Sequence, residues 1–376
     1  MSYCLRLFAA SVCIAAFLSP VARGAENVWL AVGHGGQRMT SADGKTWSQV
    51  GSWSKPAHNQ DDLNVAAPFK GAFYVGGGYF SGRLTATRDG KQWSDGVIPG
   101  SSPIFGLDVA GDALFAMDLR GKVFKTVDGE KWELVATPKM PPPTDVMWTL
   151  AKKQAVDRGR DEKSVTEAQA QGHWIRGTAQ GNGLIVGSGD YGPVVAFNPE
   201  TNETVVTKMA GQDTKNPGPK RVAFGNGVFV VVGEKGLIAR TADGKTWENN
   251  RTRDDVGDVQ CVEFNGREFL LVHTDAKTKK ATLMTSPDGL EWKTVDWPAP
   301  RQIRFINGVL YSSSYPPSKL ARSLDGGRTW EPLANDEGWH FKAYAYGPLA
   351  GGPPPQVPAA PKPATPKPTA SKPAAK

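Results

Sequence analysis

Along most of this chain, apolar and polar residues come in short runs of four to seven, broken by glycine-rich turns, the signature of β-strands. Residues 221–247 show the arrangement most cleanly. Arg221 to Phe224 is followed by an Asn226-Gly227 turn, then Val228 to Gly233, a turn at Glu234 to Gly236, and Leu237 to Arg240. A polar turn at Thr241 to Trp247 closes the unit and leads to a fourth strand. The same order recurs at 259–292, with Asn265-Gly266, and at 302–330, with Asn307-Gly308. Residues 63–93 and 104–132 are looser copies, and 173–204 is another, built around Asn182-Gly183.

The closing turn is a motif, Ser/Thr-x-Asp-Gly-x-x-Trp. It places Asp43 before Trp47, Asp89 before Trp93, Asp128 before Trp132, Asp243 before Trp247 and Asp288 before Trp292. A sixth copy, Asp325 to Trp330, carries one extra residue. Asp-Gly favours a tight turn because glycine accepts positive φ and the aspartate side chain bonds nearby main-chain N–H groups. The Ser/Thr hydroxyl satisfies a further turn group, and the tryptophan folds back over it. These residues therefore read as structural staples. In the 173–204 unit Asn198 to Asn202 stands where the motif would be.

The N-terminal unit lacks a first strand, since Asn27 to Gly33 matches a second strand. The missing piece lies at the other end, where His340 to Gly347 has the character of a first strand. Joining the two predicts an all-β, seven-bladed β-propeller over residues 25–350, closed by pairing N- and C-terminal strands in one blade. A period of ~45 residues suits a four-stranded blade, and closure removes exposed sheet edges.

Three segments fall outside the ring. Residues 1–24 read as an export signal, with Arg6, an apolar stretch from Leu7 to Leu18, and small residues Ala22 and Gly24 before the cleavage point. The apolar stretch is shorter than the ~20 residues of a transmembrane helix. The mature chain is then expected in the periplasm or outside the cell, with no transmembrane segment. Residues 139–171, between the third and fourth blades, form a charged, partly helical insertion in which Ser164 to Glu167 fits a capping box. Residues 351–376 are rich in Pro, Ala and Lys, and read as a disordered tail. Removing 353–376 is expected to leave the melting temperature unchanged.

Charge and cysteine usage narrow the function. Of the net charge of +7, the leader carries two (Arg6, Arg23) and the tail four, which leaves +1 on the body. A nearly neutral body excludes an ordinary nucleic-acid footprint. Cys261 is the one cysteine left after cleavage, so no intramolecular disulfide forms, and it reads as a small buried hydrophobe.

The Asp-Gly motif resembles the Asp-box, or bacterial neuraminidase, repeat, and the resemblance spans most of residues 27–347. It implies a propeller and is shared by sialidases, other glycosidases and non-enzymatic propellers. The units also resemble those of photosystem II assembly factors and related exported repeat proteins, which implies partner binding without catalysis. Sialidases share an early Phe/Tyr-Arg-Ile-Pro element, an arginine triad and a Tyr–Glu pair. The nearest string here, Gln302 to Phe305, is in the last blade and lacks the proline. No catalytic residue is carried over.

Function is then expected on the propeller face formed by the D-to-A and B-to-C loops. Candidate ligand-binding residues there are His58, Asp61, Asp62, Tyr79, His173, Arg176, Tyr191, Arg221, Arg304 and His340. Arg176, Arg221 and Arg304 lie near different inner strands and are the possible triad. The histidines show no metal-ligand spacing, and Gly187 to Gly192 matches G-x-G-x-x-G without the helix that a dinucleotide site needs. No cofactor is expected. The reading is an exported, monomeric, non-enzymatic scaffold for a protein or carbohydrate partner, with a divergent sialidase-like glycoside hydrolase as the alternative.

Overall fold

The computed structural model describes residues 26–51, 61–79, 81–171, 174–190, 193–209, 219–251, 253–275, 277–313, 320–333 and 341–359. They form seven four-stranded antiparallel sheets. Six sheets take four consecutive strands in chain order, and we label these strands A to D from the centre outwards. The A strands of blades 2 to 7 are Leu63–Phe69, Ile104–Ala110, Trp174–Gly181, Pro219–Gly225, Val259–Phe264 and Ile303–Ile306.

Blade 1 is shared between the two ends of the chain. Its A strand is Phe341–Leu349, which pairs antiparallel with Glu26–Gly33 as strand B. The A strands of successive blades lie side by side right around the ring, blade 7 against blade 1 included. The chain is thus the closed seven-bladed propeller expected from the repeats. The incomplete first unit is completed by the strand that follows the last Asp-Gly turn.

The apolar B strands explain why the ring holds. In Val228–Gly233, Phe229 and Val231 pack on Val186 and Ala196 of blade 4, whereas Val230 and Val232 pack on Phe269 and Leu271 of blade 6. Alternate side chains of one strand thus serve two interfaces. Both faces of each B strand are dry, so the strand reads as a continuous apolar run instead of alternating. Ala72–Gly77 and Ala113–Asp118 are buried at every position.

The Asp-Gly turns are built alike. In blade 1, Ser41 Oγ accepts from Gly44 N–H at 2.9 Å and donates to Asp43 Oδ1 at 2.9 Å. Asp43 Oδ1 also accepts from Lys45 and Thr46 N–H at 2.8 and 2.7 Å. Those donors stabilise the ionised carboxylate and hold it well below its usual range. In blade 4, Asn198 Oδ1 takes the role of the aspartate, accepting from Glu200 and Thr201 N–H. Each turn also seats on the preceding blade. Tyr311 of blade 7 donates its hydroxyl to Gly44 O at 2.8 Å, and a Cβ at Gly44 would meet that hydroxyl at 2.4 Å.

The Asn-Gly turns add a stitch between blades. Asn182 Nδ2 donates to Gly227 O at 2.7 Å and Ala242 O at 2.9 Å, both in blade 5. Asn226 Nδ2 does the same to Arg267 O and Pro287 O in blade 6, and Asn265 Nδ2 reaches Gly326 O in blade 7. Asn226 holds its turn at φ +47°. Its side chain therefore fixes the spacing to the next blade as well as the turn.

Two expectations need correction. In the insertion, the helix Asp145–Asp157 begins at Thr144, whose Oγ1 accepts from Met147 N–H. The short helix Glu167–Ala170 begins at Thr166, whose N–H donates to Gln169 Oε1 at 2.9 Å. Ser164 instead sits in a 3-10 turn and bonds Asp161 O, so the cap lies two residues later than expected. The second correction concerns the tail. Gly351 N–H donates to Arg88 O, Val97 N–H donates to Pro358 O at 2.9 Å, and Val357 packs on the core between blades 2 and 3. The segment leaving strand A of blade 1 therefore runs out along blade 2 to its D strand, Ser94–Val97. Residues 360–376 lie outside the described residues, as does the leader.

Two stability measurements follow. Deleting residues 353–376 lowers the melting temperature by about 1–2 °C, the shift for about 1 kcal/mol in a domain of this size; an unchanged transition would contradict the packing of Val357 and Pro358. Asn226→Gly keeps the positive φ and removes the two inter-blade bonds. It lowers the unfolding free energy by about 1 kcal/mol, whereas a neutral or stabilising effect would show that the stitch contributes nothing.

Candidate functional site: the channel mouth

The A strands begin with a shared irregularity. In blades 1 to 6 the register to strand B slips by one residue, at Lys220 in blade 5 and, in the other five, at Lys342, Asn64, Phe105, Arg176 and Gln260. A bulge re-aims its side chain, and the last five of these residues line a cavity of about 580 Å³ at one end of the channel. Sequence patterns do not show these bulges, because one extra residue in a strand leaves its composition unchanged.

Five cations line this cavity: Arg176, Arg221, Arg301, Arg304 and Lys342. Two carboxylates, Asp190 and Asp258, stand against them. Arg176, Arg221 and Arg304 come from blades 4, 5 and 7 and also line a second chamber of about 300 Å³, so the two share these side chains. The scattered arginines of the sequence are therefore brought together.

Their environments differ. Arg176 Nε is 2.7 Å from Asp190 Oδ2, and its guanidinium lies 5.3 Å from the Phe105 ring centre. Arg304 Nη1 is 3.6 Å from Glu263 Oε2. Burial pushes the Arg221 guanidinium down to about 10, and the like charges of Arg304 and Arg176 act in the same direction. It remains charged at neutral pH. A cluster of like charges lining one concave site attracts an anion.

Glu263 lines only the inner chamber. Burial raises its carboxyl to about 7 against the opposing pull of Arg304. Tyr344 lines the same chamber, is buried, and stacks on Tyr311 with ring centres 5.0 Å apart. Burial pushes its hydroxyl far above the usual phenol range. Cys261 is buried in an inner strand, as expected, and burial lifts its thiol to about 11, so it stays protonated at neutral pH.

The other candidate residues have different fates. Asp61 is paired with Arg83 at 3.1 Å. Asp62 accepts from Gly35 N–H and is paired with His34 Nδ1 at 2.9 Å and with Lys342. It ties the B-to-C loop of blade 1 to strand A and so shapes the rim. Tyr79 is exposed and is not among the residues lining the cavity. His58, His173, Tyr191 and His340 lie outside the described residues. Lys342, Phe105, Arg301, Asp258 and Glu263 line the chambers and were not singled out from sequence. For Glu263 the signal was a lone acid within an apolar inner strand, Cys261 to Phe264.

No protein-family model matches the chain, and no curated protein does. Among solved structures, that of YCF48 bound to D1 peptide is similar over 72% of this chain and 80% of that chain, at 15% identity and a TM-score of 0.45. The computationally designed Ika8 protein is similar over 87% of this chain and 95% of that chain, at 12% identity and a TM-score of 0.45. Here the fold is established by the strand pairing itself.

A second half-buried acid gives a pH test. Asp108, on strand A of blade 3, accepts from Thr178 Oγ1 of blade 4 at 2.7 Å, and burial raises its carboxyl to about 6. A folded pKa above the unfolded value means that the native state binds more protons, so this group lowers stability as pH rises from about 4 through 6. Asp108→Asn keeps the hydrogen bond and removes the ionisation. It raises stability at pH 8 by about 1–2 kcal/mol, with the gain shrinking as pH falls to 5. Destabilisation of the variant at pH 8 would contradict burial as the dominant effect.

Proposed function

We propose that this chain is a non-enzymatic binding scaffold of the cell envelope, exported by its leader, whose channel mouth takes a carboxylate-rich segment of a protein partner. The observation that carries the reading is the convergence of Arg176, Arg221 and Arg304 from three blades on one cavity, with cations in excess over acids. Arginine presents paired N–H groups that match a carboxylate. The cavity is polar and open, and its cations are spread around a ring, which suits an extended chain entering end-on.

A second reading has a specific observation behind it. Three arginines, Glu263 and Tyr344 share the inner chamber, which are the residue types that act on sialic acids. The elevated, buried Tyr344 hydroxyl opposes it, because a phenol nucleophile needs the reverse shift.

Both readings are tested with the leader-free protein. N-acetyl-hexaaspartate carrying a fluorophore should bind, a hexaserine control should not, and raised salt should weaken binding. Arg221→Gln and Arg304→Gln should each raise Kd at least tenfold, about 1.4 kcal/mol, without loss of the folded transition. Equal affinity of the two peptides would overturn the binding reading. Hydrolysis of a fluorogenic sialoside, abolished by Glu263→Gln, would establish the alternative.

A further inference from the structure

Glu263 sits on strand A of blade 6, beneath the arginines, and faces the inner chamber only. Its Oε2 is 3.6 Å from Arg304 Nη1, and Arg304 lines both chambers. Arg304 is thus approached from below by an internal carboxylate and from above by whatever enters the mouth. An incoming carboxylate placed on Arg304 would bring a second negative charge next to Glu263, which is itself half-buried. Two carboxylates that compete for one arginine raise each other's pKa, and the one already held higher takes up the proton first.

We propose that Glu263 is an internal competitor for Arg304, released by protonation, so that the channel takes up its anionic ligand together with a proton. The proposal rests on the anion-binding reading above and adds its regulation. Burial already holds the Glu263 carboxyl near 7 in the unliganded protein, so little further shift is needed to neutralise it.

The groups around Glu263 are identified on every packed element. Arg304 faces it from blade 7, and the main-chain N–H groups of Phe305 and Phe264 also favour its charged form. Cys261, on the same strand, stays protonated. Arg221 of blade 5 lies next to Arg304, with Asp190 and Arg176 of blade 4 beyond it. Tyr344 of blade 1 is protonated throughout and lies near Arg304. At the rim, His34 is held on Asp62 on a different element. The comparison of wild type with Glu263→Gln separates any effect of that histidine, because the variant leaves the rim intact.

The account predicts the sign. Below pH 7 Glu263 is neutral and Arg304 is open to the ligand. Above it the carboxylate returns, and affinity falls by about tenfold between pH 6 and 8.5. At pH 7 about half a proton is taken up per bound ligand.

The test uses the leader-free full chain and N-acetyl-hexaaspartate, whose side chains stay ionised over that range. Titration calorimetry at pH 7 in two buffers of different ionisation enthalpy gives proton uptake directly, with no variant needed. Kd is then followed from pH 6 to 8.5 for wild type and for Glu263→Gln, a near-isosteric change. The expected result is proton uptake and a pH-dependent Kd in wild type, and neither in Glu263→Gln. That variant should bind at pH 8.5 as tightly as wild type does at pH 6. Binding without proton uptake, or with the same pH profile in the variant, overturns the competitor role and leaves anion binding standing. Failure of the wild type to bind at any pH overturns both.

Discussion

Everything in this molecule depends on one strand pairing. Phe341–Leu349 follows blade 7 in the chain and lies on Glu26–Gly33, with Trp29 opposite Tyr346 and Ala31 opposite Tyr344. Without it, blades 1, 2 and 7 would expose apolar faces that the closed form buries: Leu30 and Val32 pack with Phe73 and Val75, and Trp29 with Tyr311. An open ring has two raw sheet edges, and a closed one has none at its seam. The chain after the seam continues the same work, passing Gly71 and Arg88 to reach the D strand of blade 2. The seam is thus pinned on both sides.

Closure also makes the channel, and the channel makes the chemistry. A strand of a flat sheet would show Arg221 to solvent, where water would screen it. Inside the ring, Arg221 shares a narrow space with Arg176 and Arg304, and burial with like charge lowers its affinity for its own proton. That unfavourable energy is tolerated because the dry B strands and the stitched turns hold the ring at fixed diameter. Asn182, Asn226 and Asn265 act around the rim of the opposite face, and the Asp-Gly turns seat each blade on its predecessor. Stability sits on that face and charge on the other.

This division explains how much was legible in the sequence. The turns were, because Asp-Gly and Asn-Gly demand particular backbone angles and recur at fixed spacing. Blade count and closure followed from the repeat arithmetic, with the orphan strand at His340 to Gly347 supplying the missing piece. Part of the mouth was legible too, as arginines near the starts of inner strands. Its depth was not. The bulges at Phe105 and Lys342 leave no compositional trace, and Glu263 is one letter in a strand that otherwise reads as core. Asp61 and Asp62 looked like ligand groups because they sit in a polar loop; Arg83, His34 and Lys342 claim them. The start of the tail was misread for a related reason. A Pro-rich segment cannot form a core of its own, but Val357 and Pro355 can still dock on one.

The central claim is that the closed ring presents a cationic mouth to an acidic segment. Hydrogen exchange read by mass spectrometry, with and without saturating N-acetyl-hexaaspartate, tests where such a ligand sits. The account predicts added protection at the starts of the inner strands, around residues 174–177, 219–222 and 301–304, with the Asp-Gly turns unchanged. Protection confined to the face of the Asp-Gly turns would contradict it.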